Sequence, residues 1–264
     1  MSAGDPVQFQ RILGIRFYNG DARGAVDLIS ENGGVLVAPA APALKNIPHN
    51  PGYREALDDA DLAIADSAFM VLIWNLTGGP RMAKLSGLKY LRCLVEQPHF
   101  RAEGSSFWVM PSARAATLSR RWLDGSGIAV DEDNLYVAPL YSDVVADPTL
   151  LQVLDKRQPR HIVLGIGGGT QEQLGLYLKR NLSYRPAIHC IGAAIGFLTG
   201  DQVSIPVWAD ALGLGWLWRC CSNPRQNIAR YWDARHLATL MLRYRERPPA
   251  GIAIRTAPDL ASKS

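Results

Sequence analysis

Short apolar runs recur along this 264-residue chain, each entering a turn and then a stretch with helical spacing, and that alternation leaves few folds open. The run VLVAP from Val35, then Leu62–Ala65, Ser106–Met110, Leu135–Ala138, His161–Leu164 and Ala187–Ile191 read as buried strands. Ile12–Phe17 reads as a further strand at the start. Between them lie amphipathic stretches, Asp21–Glu31, Tyr53–Asp59, Leu88–Gln97, Ala113–Leu123 and Asp147–Asp155, together with SAFMVLIWNL before Thr77 and a helix through Lys179. Strands that alternate with helices imply a parallel sheet with right-handed crossovers. The expected fold is therefore α/β: a Rossmann-like, mostly parallel sheet flanked by helices over residues 1–205, with a C-terminal helical appendage over 206–264.

Within that frame one stretch concentrates chemistry. Leu62–Ala65 ends directly in Asp66, and a helix follows. Ligands of open α/β sheets bind at the carboxyl ends of the strands, so an acid there faces a crevice. An N-cap would favour the same residue without any chemistry, and the sequence leaves both readings standing. The loop after Pro80 carries Arg81 and Lys84, suited to a phosphate or simply to solvent.

The densest glycine turn, Gly165, Ile166, Gly167, Gly168, Gly169 and Thr170, joins a strand to a helix that begins near Gln171. Backbone amides can approach a phosphate at such a turn, and the helix N-terminus adds favourable partial charge. A tight turn without a ligand is the alternative. The spacing after Gly167 does not fit GxGxxG, and no Lys-Ser or Lys-Thr pair makes a Walker loop, which argues against a dinucleotide oxidoreductase.

Charge is uneven. Val207 to Ser264 hold nine Lys or Arg against four Asp or Glu, whereas the first 206 residues hold 19 against 20. Four of the seven tryptophans, Trp208, Trp216, Trp218 and Trp232, share that basic tail. Tryptophan interleaved with arginine suits an anionic bilayer surface. Nucleic acid is set aside as a partner, because no basic cluster or nucleic-acid motif accompanies the excess. No apolar signal core opens the chain and no uncharged run reaches a membrane span. Cys93, Cys190, Cys220 and Cys221 have no CxxC spacing and read as free thiols of a reducing compartment.

Several of these motifs occur together: the ILG start, ADS after a strand, GGP followed by KLSG, the GIGGGTQE turn, IGFLTG, and GLGWLWR followed by NPRQNIARY. The combination, over Ile12 to Tyr231, resembles the WecG/TagA/CpsF family of bacterial glycosyltransferases. The resemblance implies a nucleotide-sugar-binding catalytic domain and a membrane-associating appendage. It further implies inverting transfer from a UDP-sugar to a polyprenyl-diphosphate-linked saccharide without a bound metal or cofactor. The setting would be exopolysaccharide or wall-polymer assembly, cytoplasmic and peripheral on the inner, anionic face of the cell membrane. A homo-oligomer is compatible with that reading.

Carried over residue by residue, Asp66 matches the proposed general base and Gln171 the glutamine of a PKQE motif. Tyr141 matches a nucleotide-side tyrosine, and Lys84 stands where an arginine is usual. Arg219, Arg225 and Arg230 match appendage arginines expected to receive diphosphate charge, and Asp66, Gln171 and Arg219 are the residues assigned to catalysis. Gly165, Gly167, Gly168 and Thr170 are the expected phosphate cradle. The chain departs from the family at Ala38 and Ala40, where Thr and Asn are usual, and at Lys89 and Gly196, where aspartates are usual. These departures point away from N-acetylmannosamine and toward a UDP-hexose such as UDP-glucose. The alternatives are UDP-N-acetylmannosamine or its uronic acid as donor, or a binding module without catalysis.

Overall fold

The computed structural model describes residues 9–128, 130–142, 144–192, 194–201 and 235–249. The strands are β1 (Phe9–Ile12), β2 (Ile15–Tyr18), β3 (Gly34–Val37), β4 (Leu62–Ile64), β5 (Ser106–Met110), β6 (Leu135–Val137), β7 (His161–Leu164) and β8 (Ala187–Cys190). They form one sheet in the order β1-β2-β4-β3-β8-β7-β5-β6. Among the described residues only β1 and β2 pair antiparallel; the other pairings are parallel, as the alternation predicts.

The exception corrects the expectation of a single strand over Ile12–Phe17. Leu13 and Gly14 take positive φ angles of 53° and 89°, and the chain reverses there into a two-residue hairpin with Ile12 opposite Ile15. Such turns need left-handed backbone at both central residues, and the glycine makes the second one inexpensive.

The helices are α1 (Ala22–Asn32), α2 (Ala41–Leu44), α3 (Pro51–Asp58), α4 (Ala68–Leu76), α5 (Gly87–Val95), α6 (Pro98–Arg101), α7 (Ala113–Gly125), α8 (Pro148–Arg157), α9 (Thr170–Asn181), α10 (Ala194–Thr199) and α11 (Arg235–Tyr244). They cover both faces of the sheet. Along β3, Val35 and Val37 join the core beneath α3, α4, α8 and α9, whereas Leu36 joins the core beneath α1, α5 and α7. The alternation repeats in β5, where Phe107 and Val109 face one way and Trp108 and Met110 the other. Burying each such side chain contributes roughly 1.5 to 3 kcal/mol.

Two packing details fix the site. A Cβ on Gly175 of α9 would meet Cys190 Sγ at 2.7 Å and a methyl of Val35 at 3.3 Å, so only glycine lets α9 lie this close to β8 and β3. On the opposite face His161 and His189, both fully buried, pair Nδ1 to Nε2 at 3.1 Å, and His189 Nδ1 meets the Tyr90 hydroxyl at 2.8 Å. This polar chain ties α5 to β8 and β7 through an otherwise apolar layer.

The C-terminal helix belongs to the same body. Leu237 and Met241, one turn apart on α11, are buried in the core that holds Met70 and Trp74 of α4. Beyond it, Arg245 O and Glu246 O accept the N–H groups of Leu13 and Gly14 at 2.7 and 3.0 Å. The four tail tryptophans and Arg219, Arg225 and Arg230 lie outside the described residues.

Candidate active site

The carboxyl ends of the central strands open into a crevice of about 1050 Å³. Its walls come from the exits of β3, β4, β7 and β8, and Asp66, Ala38, Ala40, Gly87, the Gly165–Gln171 turn and Gly192 all line it. An open sheet places ligands there because the crossovers leave a gap where neighbouring loops run to opposite faces.

Asp66 stands two residues beyond the end of β4 and is half-buried. It does not cap α4: Ser67 does, its hydroxyl accepting the Met70 N–H at 3.1 Å. Asp66 Oδ1 instead accepts the N–H of Gly87, the first residue of α5, at 2.9 Å. The carboxylate thus sits at the N-terminal end of a neighbouring helix, where the dipole favours negative charge. Of the two readings open in the sequence, the cap of the following helix is removed.

Lys84 lies in the loop between α4 and α5, and its side chain is not among the groups lining the crevice. That loop is tied down rather than loosely solvated. Asn75 bonds both the N–H and the carbonyl of Met82, and Asn19 bonds Ala83 N–H and Arg81 O, all between 2.9 and 3.0 Å. Trp74 Nε1 donates to Pro80 O at 3.0 Å.

The glycine turn presents open backbone to the crevice. A Cβ on Gly167 would meet nothing within 4 Å, and one on Gly168 only Ala43 at 3.9 Å, so both backbones face open crevice. Gly169 takes φ 94° as the N-cap of α9, a conformation that favours glycine. Glycine has no side chain for a reciprocal capping box, so only half of one forms: Glu172 Oε2 accepts the Gly169 N–H at 2.6 Å. Gln171 is buried, its Oε1 accepting the Gly192 N–H at 2.7 Å. Thr170 lines the crevice beside it.

Tyr141, the expected nucleotide-side tyrosine, is anchored to an acid. Its hydroxyl donates to Asp147 Oδ2 at 2.8 Å, beside Tyr136, whose hydroxyl donates to the same oxygen at 3.0 Å. Burial and then the bond to Asp147 push the Tyr136 hydroxyl up to about 12 and that of Tyr141 higher still. Asp147 also caps α8, accepting the Leu150 N–H at 2.9 Å. Tyr141 itself does not line the crevice; its neighbours Ser142 and Val145 do.

Of the departures, Ala38 and Ala40 line the crevice and present only methyl groups. Lys89 is exposed on α5, and Gly196 is buried in α10; neither lines it. Sequence reasoning missed Gly87, Gly192 and Glu172. The first two contribute backbone amides that carry no side-chain signal; Glu172, third in its helix after a glycine, carries the recognisable capping signature.

The fold and the site together define an open α/β protein with a ligand crevice across parallel strand ends, an acid on one wall and an amide-rich helix N-terminus on another. The model of the glycosyl transferase WecG/TagA/CpsF family matches residues 10–250, and the chain belongs to that family. Membership makes it a glycosyltransferase, with a nucleotide-sugar donor and a lipid-linked acceptor as the general substrate classes. Among curated proteins no significant match is found.

Proposed function

We propose that the protein transfers a hexose from a UDP-sugar, with UDP-glucose the favoured donor, to a polyprenyl-diphosphate-linked saccharide, inverting the anomeric centre. What supports the reading is the convergence of Asp66 and the glycine turn of α9 on one crevice in a member of this family. In the reaction an acceptor hydroxyl attacks the anomeric carbon and the bond from that carbon to the UDP oxygen breaks. The hydroxyl proton passes to Asp66, and the electron pair leaves with the diphosphate. The Gly87 N–H keeps one oxygen of Asp66 oriented. The amides of Gly167 and Gly168 and the N-terminus of α9 meet the charge that develops on the leaving group, the electrostatic part of catalysis. Arg219, Arg225 and Arg230 complete that charge compensation in this reading, with Gln171 as a donor-side contact, Lys84 adding positive charge from the loop outside the crevice lining, and Tyr141 acting through the loop it anchors.

The donor assignment follows from Ala38 and Ala40, whose methyl groups face the crevice where hydrogen-bonding side chains would read an N-acetyl sugar. The same methyl wall favours a second reading, a UDP-sugar-binding module without turnover. A peripheral position on the anionic inner membrane is part of the proposal. Among the described residues no helix is long and apolar enough to cross a membrane. Leu72 and Leu76 nonetheless stand exposed on α4, next to α11, which exposes Leu242 and Arg243.

The test is a panel of UDP-sugars incubated with a short polyprenyl-diphosphate saccharide, with products identified by mass spectrometry and their anomeric configuration by NMR. Transfer from UDP-glucose with inversion is expected. Binding without transfer or hydrolysis across the panel selects the non-catalytic reading, and a retained configuration overturns the mechanism.

A further inference from the structure

Glu172 is the least expected group behind the crevice wall. The residue is 1 % exposed, and it has no ion pair among the described residues. It lies beneath a turn read as a phosphate cradle, where a negative charge is on its face unhelpful. Burial raises the proton affinity of its carboxyl, and bonds from Gln171 and from backbone N–H groups work against that rise. Its partners are all donors: Gly169 N–H to Oε2 at 2.6 Å and Gln171 Nε2 to Oε1 at 3.1 Å. A donor set of this kind fits the carboxylate, which accepts at both oxygens, and not the acid, which would have to place a hydroxyl proton against an N–H.

We propose that Glu172 is a positioning residue that fixes the Gln171 amide in one orientation, with Oε1 committed to the Gly192 N–H and one Nε2–H held for an acceptor oxygen of the ligand. An amide can be turned over at little cost in its own shape, so its direction depends on its partners. Here both partners allow one answer only. The carboxylate accepts and cannot donate, and the Gly192 N–H donates and cannot accept. Turning the amide over would set the Gln171 NH₂ against the Gly192 N–H, 2.7 Å away, and its carbonyl against a carboxylate.

The result is a chain of bonds, from Gly169 N–H to Glu172, to Gln171, to the Gly192 N–H, that joins the loop after β7 to the loop after β8 across the floor of the crevice. Gly192 takes φ 61°, and a Cβ there would lie 3.5 Å from Gln171 Nε2, so the loop meets this amide at close range. Gln171 then presents a donor, and the ligand atom it selects is an acceptor: a phosphate oxygen, a carbonyl or a sugar oxygen. The Gln171–ligand contact rests on the crevice being the donor site; the orientation of the amide does not.

Glu172→Gln is the informative variant because it preserves shape. A glutamine at 172 has one NH₂, which must face either the Gly169 N–H or the Gln171 NH₂. If Gln171 turns to avoid it, the conflict moves to Gly192. Every arrangement leaves one donor against another.

Two measurements test the proposal. In hydrogen exchange on the wild-type chain, the Gly169 and Gly192 amides should be protected although both lie in loops, and protection at Gly192 should fall at least about tenfold in E172Q; rapid exchange of Gly192 in the wild type would overturn the proposal even if the variant failed to fold. In calorimetry with UDP, E172Q should weaken binding by about tenfold or more, the equivalent of one lost charge-assisted bond. In a Gln171→Ala background the same change should add almost nothing; losses that simply multiply would show that Glu172 acts independently of Gln171 and would refute it. Absence of UDP binding to the wild type would sink the donor-site reading, and the exchange data on Gly192 would still decide the role of Glu172.

Discussion

Asp66 and Gly87 are 21 positions apart in sequence, yet the carboxylate of the first accepts the backbone N–H of the second at 2.9 Å, joining the exit of β4 to the start of α5. The contact orients the acid.

Asp66→Asn keeps an oxygen for that N–H and removes the basicity. Transfer should fall roughly 10²- to 10⁴-fold, the usual contribution of general-base catalysis. UDP-sugar affinity, measured by calorimetry, should stay nearly unchanged; full activity in the variant would remove Asp66 from the mechanism.

The proposal of a separable appendage over 206–264 predicts that deletion after Ile205 leaves a soluble sheet domain. The burial of Leu237 and Met241 against α4 changes what that deletion would do, since it would uncover the core around Trp74. Leu237→Ala alone should cost about 2 to 5 kcal/mol in urea unfolding, as large-to-small changes in packed cores do.

Acid should weaken the fold through the buried histidines. Burial, then His99 and Arg160, lower His161 to about 3, and burial, then His161 and His99, hold His189 well below its usual value. The unfolded chain binds protons below about pH 6.5 that the folded rings refuse. Stability is therefore complete above that pH and falls as the pH drops from there toward 3, by up to about 1.4 kcal/mol per unit for each ring. His161→Leu should make the dependence, read from urea midpoints across pH 4 to 7, shallower by about one proton.

Asp147, 4 % exposed, accepts from three donors, the hydroxyls of Tyr136 and Tyr141 and the Leu150 N–H. Asp147→Ala should destabilise by on the order of 3 kcal/mol, combining a lost cap with two stranded hydroxyls. Tyr141→Phe should cost about 1 kcal/mol and loosen the loop that carries Ser142 and Val145, visible as faster proteolysis there.

Leu72 and Leu76, 55 % and 73 % exposed on α4, supply an apolar strip to the membrane-facing side of the proposal. Replacing both with serine should leave the melting temperature within a few degrees and reduce association with vesicles of anionic lipid; unchanged association would exclude this face from docking.

Most of the sheet was legible because its strands are short, apolar and bounded by strong punctuation. Asp21, Ser86, Asp147 and Gly33 close their helices as cap chemistry dictates. The β1–β2 hairpin was not legible, because Leu13 is a poor residue for a left-handed turn and the apolar run continues across it. Asp66 was found at the strand exit, but its partner was not, since a backbone amide leaves no trace in composition. Tyr141 illustrates the opposite case: the residue was picked out by resemblance, and only its geometry reveals that its hydroxyl is engaged with Asp147.

Gly175 brings α9 flush against β3 and β8, with no side chain between helix and sheet to act as a cushion. The tip of that helix is consequently set by the strands beneath it, and its amides cannot drift toward a guest that sits too high or too low. If the proposed donor site is right, selection among guests becomes a matter of gauge: a molecule whose oxygens match the depth of this mould is held, and a longer or shorter one is left without contacts.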